Sequence, residues 1–427
     1  MLYRLDDIDC VSARGHSALG GALAIQAVWR YDRAVDMARL TDFHAALRRG
    51  TLGRVVAPAL IPAAGDRWSA RAEFGPIEVA SAPIPRAELG EWIAQQARAE
   101  LRTYGGPAWR LAVVDLDDGG SAVSLLSSHT IADGRAFCAA ITAAVADEQI
   151  ELDCRGDEFG PMRQLFSDLG AAAKRLVPTL GAVVLGVRLA AARRAEVRTD
   201  SGSDRDFRVP TVDATIPAEL WRAAAQARGG TVTTLAVALM AEIAGESGRV
   251  DEQGRARMMM PVSTRTDGDE RANALGAIEF EVADAPTDLA PLRALMKTKL
   301  AAEQVVPPVI SMAVALPSGL YGVLARQAAT DATRTVCSNL GTLDPAILEI
   351  DGSPAASITL GLINQGLNSR ALLAARGGIL HGVFFECAGD ITVRINGFHP
   401  PALENADQLA DLVQRVLARY DLKPAFR

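Results

Sequence analysis

Residues 124–137 read Ser-Leu-Leu-Ser-Ser-His-Thr-Ile-Ala-Asp-Gly-Arg-Ala-Phe and form the most informative stretch of the chain. An apolar run typical of a strand leads into His129, a short turn carries Asp133 and Gly134, and a run typical of a helix follows from 136 to 146. A histidine at the end of a strand, on a loop held by rigid elements, is well placed to act as a general base. Imidazole titrates near neutral pH, so it can accept a proton and return it. We expect Asp133 to hold the turn through a salt bridge and Gly134 to allow the tight backbone there.

The pattern His-x-x-x-Asp-Gly at 129–134 resembles the active-site motif of a large acyltransferase superfamily. That superfamily includes chloramphenicol acetyltransferase, the condensation domains of peptide synthetases, the bacterial wax ester/diacylglycerol acyltransferases and the mycobacterial polyketide-associated acyltransferases. Many members begin the motif with two histidines, whereas this chain has Ser128 at the first position. The second histidine is the catalytic one in the family, and His129 occupies its place.

Length and composition indicate a soluble two-domain protein without a nucleic-acid groove. The chain has 427 residues, of which 49% are hydrophobic and 22% charged, and it is too long for one ordinary core. A nucleic-acid groove needs a basic face, and the formal net charge is −7. The five scattered cysteines fit a reducing compartment and no metal cluster. The first residues lack the layout of a signal peptide, so we expect a cytoplasmic protein.

Hydrophobic periodicity divides the chain into two lobes and a connecting segment. We expect an N-terminal lobe at 1–150, a crossover and linker at 151–206, and a C-terminal lobe at 207–427. Basic residues outnumber acids between 163 and 198, which is typical either of a helix on an anionic membrane surface or of a crossover helix over the groove between the lobes. The main predicted elements are strands at 22–29, 68–74, 77–80, 109–116, 122–128 and 207–214, and helices at 34–49, 85–101, 217–226, 231–244 and 401–419. The turn Asp-Asp-Gly-Gly at 117–120 joins the strands at 109–116 and 122–128 as a hairpin.

Further landmarks of the same superfamily follow in order along the chain. Pro107-Ala108-Trp109 looks like the Pro-Leu-Trp of the wax ester group, and residues 261–265, Pro-Val-Ser-Thr-Arg, match a Pro-Val-Ser-x-Arg pattern with Asn273 near its turn. Ser338-Asn339 is similar to a Ser-Asn signature on a strand that crosses between lobes. The Asp-Phe-Gly-Trp-Gly motif of condensation domains is absent, which favours the wax ester or polyketide-associated branch. The resemblance implies an α/β fold of two lobes, each a mixed sheet with helices, and an active-site tunnel between them.

The resemblance also implies a chemistry. An acyl thioester, on coenzyme A or on the phosphopantetheine of an acyl carrier protein, would donate its acyl group to the hydroxyl of a small acceptor. His129 would act as general base without an acyl-enzyme, and no metal or permanently bound cofactor would take part. Asp133 would pair with an arginine, for which Arg265 and Arg334 are candidates. The groups expected near the substrate or its oxyanion are Ser128, Ser338 and Asn339.

Two alternatives stay open at this point. The chain could be a binding or carrier-recruiting protein that keeps the fold without catalysis, because Ser128 replaces the first family histidine. It could also form amide bonds between carrier-bound substrates. The other histidines are expected to be structural or exposed: His16 in a Gly-rich loop, His44 on a helix surface, His381 in a strand and His399 before a proline.

Overall fold

Two mixed sheets, of five and seven strands among the residues that the structure describes, organise the chain. The structure is a computed structural model that describes residues 4–19, 21, 23–150, 152–175, 181, 184, 207–266, 269, 271–283, 288–302, 307–316, 320–324, 334–365 and 369–426. The predicted α/β fold, with two mixed sheets and helices packed against each, is confirmed.

The first sheet is built around the predicted hairpin. Its strands are β1 (Leu23–Tyr31), β4 (Glu78–Val79), β5 (Trp109–Asp115), β6 (Ser121–Ser128) and β11 (Ser357–Asn364), in the order β11-β1-β6-β5-β4. All pairs are antiparallel except β4 with β5. Every residue of β6 is buried, and His129 of the motif directly follows the end of this central strand. A small separate ribbon pairs β2 (Val55–Ala57) with β3 (Arg67–Ser69).

The second sheet has the order β14-β7-β13-β12-β10-β8-β9. Its strands are β7 (Thr211–Pro217), β8 (Arg255–Ser263), β9 (Leu275–Ala283), β10 (Thr335–Thr342), β12 (Ile379–Cys387), β13 (Asp390–Phe398) and β14 (Ala425–Phe426). β10 runs parallel to both of its neighbours, and the other pairs are antiparallel.

The helices cover these sheets. They include α1 (Asp7–Leu19), α2 (Met37–Arg49), α3 (Leu89–Gln96), α4 (Gly134–Val145), α5 (Pro161–Lys174), α6 (Ala218–Ala227), α7 (Val232–Glu246), α8 (Ala290–Ala301), α9 (Pro308–Val314), α10 (Arg370–Ala375) and α11 (Ala406–Ala418). In the described part of the chain, no helix is long and apolar enough to cross a membrane.

Each sheet has its own hydrophobic core. In the first core Trp29 and Phe137 are fully buried between the sheet and the helices beside it. In the second, α7 is apolar on nearly all sides and packs between β8 and β10 on one face and α11 on the other. Thr231 caps the start of α7 by accepting a hydrogen bond from the Thr234 backbone N–H.

The structure corrects the predicted chain path in three places. First, α1 occupies part of the N-terminal stretch for which no helix was predicted, and it contains His16. Second, the strand that crosses between the lobes is β11 and not β10, because β10 lies inside the second sheet. Third, the predicted C-terminal lobe at 207–427 therefore contributes β11 to the first sheet, where Ile358 and Leu360 join the first core. Pairing of strands more than 300 residues apart leaves no local pattern in the sequence.

Candidate active site

The motif loop is fixed by backbone hydrogen bonds at both ends. The His129 N–H donates to the Leu23 carbonyl of β1 at 2.8 Å, and the Asp133 N–H donates to the Ala272 carbonyl at 2.8 Å. The Asp133 carboxylate caps α4 by accepting from the Ala136 N–H at 2.8 Å. The loop thus joins β6 to α4 and also contacts the chain that leads into β9, so it lies where the two lobes meet.

Asp133 pairs with Arg265. A terminal guanidinium nitrogen of Arg265 lies 2.7 Å from Asp133 Oδ2, which also accepts from the Ala274 N–H at 3.0 Å. The Asp133 side chain is 1% exposed and that of Arg265 is 22% exposed, so the pair is largely buried. The other candidate, Arg334, is instead 3.4 Å from Glu279 of β9, the strand on the far side of β8. Arg334 as the partner of Asp133 is therefore wrong.

A chain of hydrogen bonds runs from the imidazole into the protein. His129 Nδ1 lies 2.8 Å from Asn273 Oδ1. The Asn273 amide nitrogen donates to Asp9 Oδ1 at 2.9 Å and to the Thr130 carbonyl at 3.3 Å. Because both of those partners are acceptors, the amide nitrogen faces them and the amide oxygen must face the histidine. Nδ1 therefore carries the hydrogen, and the lone pair of neutral His129 is on Nε2, as a general base requires.

Asp9 of α1 fixes the position of Asn273 by accepting its hydrogen bonds. Its carboxylate is 1% exposed and accepts from the backbone N–H groups of Asn273 at 2.9 Å and Ala272 at 3.2 Å. Burial, with the nearby charge of Asp6 as the second cause, raises the pKa of Asp9 to about 7, although its bond with Asn273 opposes the shift. Asp9 and Asn273 thus orient the ring from two distant parts of the sequence.

The electrostatics favour a neutral imidazole. Burial lowers the pKa of His129 below its usual 6.5, while the charge of Asp133 and the bond to Asn273 act in the opposite direction. A second histidine, His381 of β12, lies near enough for the charge of His129 to act on it. Burial is the main cause that lowers the pKa of His381 to about 4. Ser338 Oγ is 3.4 Å from His381 Nε2.

A cavity of about 830 Å³ opens between the two sheets. Its walls come from β1, α3, β7, β10, β12 and β13, together with the end of β11 and the start of α11. Of its lining residues, Leu23 accepts the hydrogen bond from the His129 N–H, and the pKa of His381 is lowered in part by the charge of His129. His129 itself does not line this cavity and is partly buried beside it.

Comparisons with solved structures identify the fold. Over 98% of its length the chain superposes on 95% of the first condensation domain of the CDA synthetase, with a TM-score of 0.57 and 14% identity. The chain has a condensation-domain fold. Polyketide synthase associated protein 5 from Mycobacterium tuberculosis is also similar, with a TM-score of 0.55, 14% identity and coverage of 98% and 97% of the two chains. The nonribosomal peptide synthetase FmoA3 matches 97% of this chain over 42% of its own, with a TM-score of 0.52 and 19% identity.

Comparisons of sequence give no match. No protein-family model and no curated protein sequence matches the chain. The condensation-domain fold is therefore established by structure, and identities this low carry no more than the fold.

None of the three predicted contact residues, Ser128, Ser338 and Asn339, lines the cavity, and the side chains of Ser128 and Asn339 are held by hydrogen bonds within the protein. Ser128 is fully buried, and its hydroxyl accepts from the Thr130 N–H at 3.3 Å, so it closes the turn and is not available to a substrate. Asn339 donates to Thr233 Oγ1 at 2.8 Å and accepts from the Gly341 N–H at 2.9 Å. Side chains alternate along a strand, so Asn339 faces away from the side of β10 on which its neighbour Ser338 approaches His381.

The structural reason for a glycine at position 134 differs from the predicted one. Its backbone does not take the left-handed conformation, so no special turn requires a glycine there. A Cβ at this position would instead lie 2.8 Å from a methyl group of Leu340. The glycine therefore lets the start of α4 approach β10 closely.

The remaining histidines are structural. His16 Nδ1 lies 3.1 Å from Thr103 Oγ1, and His399 Nδ1 lies 2.9 Å from the Gly377 carbonyl. His44 is buried against Trp109 and not on a helix surface as predicted, because α2 turns it toward the Gly75 carbonyl at 3.1 Å. Among the described residues, no three His, Cys, Asp or Glu side chains come together as a metal site.

Sequence reasoning missed two residues of the site and the role of a third. Asp9 gave no signal, because no helix is predicted over the residues that form α1. The sequence predicts only that His381 lies in a strand, since its distance from His129 depends on how the two sheets meet. Asn273 matched the expected turn asparagine, but its bond to His129 was not foreseen.

Proposed function

We propose that the protein is an acyltransferase that moves an acyl group from a thioester to the hydroxyl of an acceptor, with His129 as general base. The observation that carries the proposal is the 2.8 Å bond between His129 Nδ1 and Asn273 Oδ1. That bond leaves Nε2 as the proton acceptor, and we assign the substrates to the cavity of substrate size that Leu23 and His381 line. The condensation-domain fold supports the proposal.

The reaction needs one proton to move out and back. Nε2 of His129 takes the proton of the acceptor hydroxyl while its oxygen attacks the thioester carbonyl carbon. The tetrahedral intermediate collapses, the carbon–sulfur bond breaks, and the imidazolium returns the proton to the leaving thiolate. General base catalysis of this kind contributes about 10²- to 10⁴-fold to the rate. An acyl-enzyme is not required, because binding both substrates together supplies their orientation.

The oxyanion of the intermediate needs a hydrogen-bond donor. Ser338 is our candidate, because its hydroxyl is half-buried and lies 3.4 Å from His381 Nε2. Neutral His381 can accept that hydroxyl proton at rest, and the hydroxyl can rotate toward a substrate. Asp133 and Arg265 keep the loop in place and do not touch the reacting atoms in this proposal.

The donor in this proposal is a thioester of coenzyme A or of a carrier-protein phosphopantetheine, and it binds as a co-substrate. The similarity to parts of peptide synthetases supports a carrier-bound donor as well as a free one. The same similarity favours an amine as the second candidate acceptor, since condensation domains take part in peptide synthesis. His129 would remove the proton of an ammonium or amine acceptor by the same route.

The test is acyl transfer by the purified full chain. The protein is incubated with acyl-coenzyme A donors of increasing chain length and with paired alcohol and amine acceptors, and both free thiol and acylated product are measured. We expect transfer that falls at least 10²-fold in His129→Ala and is unchanged in the control His16→Gln. Full turnover in a folded His129→Ala protein would refute the assignment of the base. Inertness of the wild type toward every donor, free or carrier-bound, would favour the binding protein instead.

Surface contact with a membrane through 163–198 is a further part of the proposal for a cytoplasmic protein. One observation supports it within the described residues of this segment and its flank. Met162, Phe166 and Leu169 of α5 are 64%, 65% and 49% exposed and recur at the spacing of one helix face. An apolar face of this kind on a helix with basic neighbours is typical of interfacial binding.

A further inference from the structure

Arginine residues outnumber acidic residues in the lining of the cavity beside His129. Among the described residues that line it, seven are arginines and three are carboxylates, namely Asp213, Glu404 and Asp407. The surplus of positive charge stands in a chain whose formal net charge is −7. A concave site lined by one sign of charge concentrates ligands of the opposite sign.

Part of this charge is compensated by acids outside the lining, since Arg334 lies 3.4 Å from Glu279 and Arg208 pairs with Glu91, and a further pair is buried. Arg394 binds Asp213 through two hydrogen bonds, of 2.6 and 2.7 Å, and is buried. Arg30 lies 3.6 Å from the same carboxylate. Two guanidinium groups thus share one carboxylate, and this part of the cavity is fixed by protein contacts.

The second group lies where β10 begins and β12 follows α10. Buried Arg249 donates to the carbonyl of Arg334 at 3.0 Å and to the carbonyl of Gly377. Arg334 and Arg376 line the cavity together with Arg249, next to the two backbone segments that the Arg249 guanidinium contacts. Three arginines therefore line this part of the wall.

Arg376 is the member of this group best placed for a ligand. It is half-buried, and burial lowers the pKa of its guanidinium. No ion pair joins it to any other residue within the described ranges. A cation taken out of water without a counter-charge is costly, and an incoming anion would remove that cost. The guanidinium fork matches carboxylate and phosphate oxygens geometrically.

The strand register gives the distance from this group to the reacting centre. β10 pairs with β12 so that Val336 is opposite His381, and Val336 and Arg334 both line the cavity. Ser338, on the same side of β10, approaches His381. Four residues along a strand from Ser338 to Arg334 correspond to about 13 Å.

We propose that this cavity binds a substrate through an anionic group, a carboxylate or a phosphate, held by Arg376 and Arg334 about 13 Å along the strand from the reacting centre. The anion is covalently part of either the acceptor or the thioester donor. The inference rests on the proposed function only for the identity of the reacting end, whereas the anion site itself rests on the arginines.

The experiment uses two pairs of probes that differ only in the anion. The first pair is 10-hydroxydecanoate and 1,10-decanediol, whose extended chain is about as long as the separation given above. The second pair is 4′-phosphopantetheine and pantetheine, which represents the donor. Binding to the full chain is measured by calorimetry at low and high salt, in the wild type, in Arg376→Gln and in the control Arg415→Gln. Arg415 pairs with Glu246 on the surface, is 59% exposed and does not line the cavity.

We expect one charged probe to bind the wild type at least about tenfold more tightly than its uncharged counterpart, which is typical of a charge-assisted hydrogen bond. Arg376→Gln should abolish that preference, high salt should weaken it, and Arg415→Gln should retain it. The pair that shows the preference identifies the acceptor or the donor as the anionic substrate. Equal binding within both pairs, no binding of any probe, or an unchanged preference in Arg376→Gln would overturn the proposal.

The same titration in His129→Ala separates this proposal from the proposed function. The anion preference should persist in that variant, because His129 does not line the cavity. If His129→Ala kept full turnover while the anion preference was present, the assignment of His129 as general base would be wrong and the anion site would be supported. If transfer depended on His129 but no anion preference existed, only the anion site would fail.

Discussion

Replacing Asn273 by alanine tests the hydrogen-bond chain that orients the catalytic ring. The substitution removes the 2.8 Å acceptor of His129 Nδ1 and also the amide donor to Asp9. Loss of one such bond is worth about 1 kcal/mol, or about fivefold in kcat. The freed ring can also take the tautomer with the hydrogen on Nε2, which cannot accept a proton. The whole contribution of a general base, about 10²- to 10⁴-fold, is the upper limit of the effect.

We therefore expect kcat of Asn273→Ala to fall by about fivefold to a hundredfold. The assay is steady-state transfer between pH 5 and 9, with the melting temperature measured in parallel. The bond to Asn273 raises the pKa of His129, so its loss should move the acid limb of the rate profile to lower pH. Asn273→Asp should move the limb to higher pH, because a carboxylate favours the imidazolium.

A matched control and a clear refutation are available. Asn339→Ala removes a side-chain amide that makes a hydrogen bond of the same 2.8 Å length, to Thr233, on the other side of β10. It should leave kcat and the pH profile unchanged. If folded Asn273→Ala kept kcat within twofold of the wild type at every pH, the orienting role of the chain from Asp9 to His129 would be refuted.

Three further outcomes are expected. Asp133→Ala breaks a largely buried ion pair and a helix cap, and should lower the free energy of unfolding by about 3 kcal/mol or more. The control Asp36→Ala removes an exposed side chain that only caps α2, and should lower it by about 1 kcal/mol. Equal losses of the two variants in urea unfolding would contradict the paired role of Asp133. The pKa of Asp9 is about 7 in the folded protein and near 4 in an unfolded chain, so folding takes up a proton at pH values between these two. The free energy of unfolding of the wild type should therefore fall relative to that of Asp9→Asn as pH rises from about 4 to 7, by up to about 1.4 kcal/mol per pH unit. A difference between the two proteins that stays constant with pH would argue against the raised pKa. Liposomes of anionic lipid should sediment the protein at low salt and release it at high salt, and absence of binding at low salt would remove the membrane contact through 163–198.

The sequence was most informative where structure is local. The apolar run before His129 and the Asp-Asp-Gly-Gly turn at 117–120 predicted the β5–β6 hairpin, and this hairpin is confirmed with the histidine directly after β6. The alternation of side chains and the turn residues are properties of neighbours in the chain, so they can be recognised without a structure. The overall two-lobed architecture could be expected from the ordered landmarks of the resemblance.

The site itself required contacts that neighbours in the chain do not encode. Arg265 and Arg334 both follow or precede strands of the second lobe, and the hydrogen bonds of Arg265 to the carbonyls of Arg271 and Ala272 hold it beside Asp133. Asp9 reaches Asn273 across 264 positions of sequence. Burial and charge of this kind are collective properties of the packed lobes, which a pattern of residue types in one stretch does not contain.

The crossing of β11 has a consequence for any attempt to study the halves separately. Its eight residues pair antiparallel with β1 from Leu23 to Arg30. A fragment that ends near 206 would leave that side of β1 with unsatisfied backbone donors and acceptors, which is a template for intermolecular strand addition. We expect such a fragment to aggregate when expressed alone, and to be rescued by a synthetic peptide of residues 355–365 or by co-expression of the remainder.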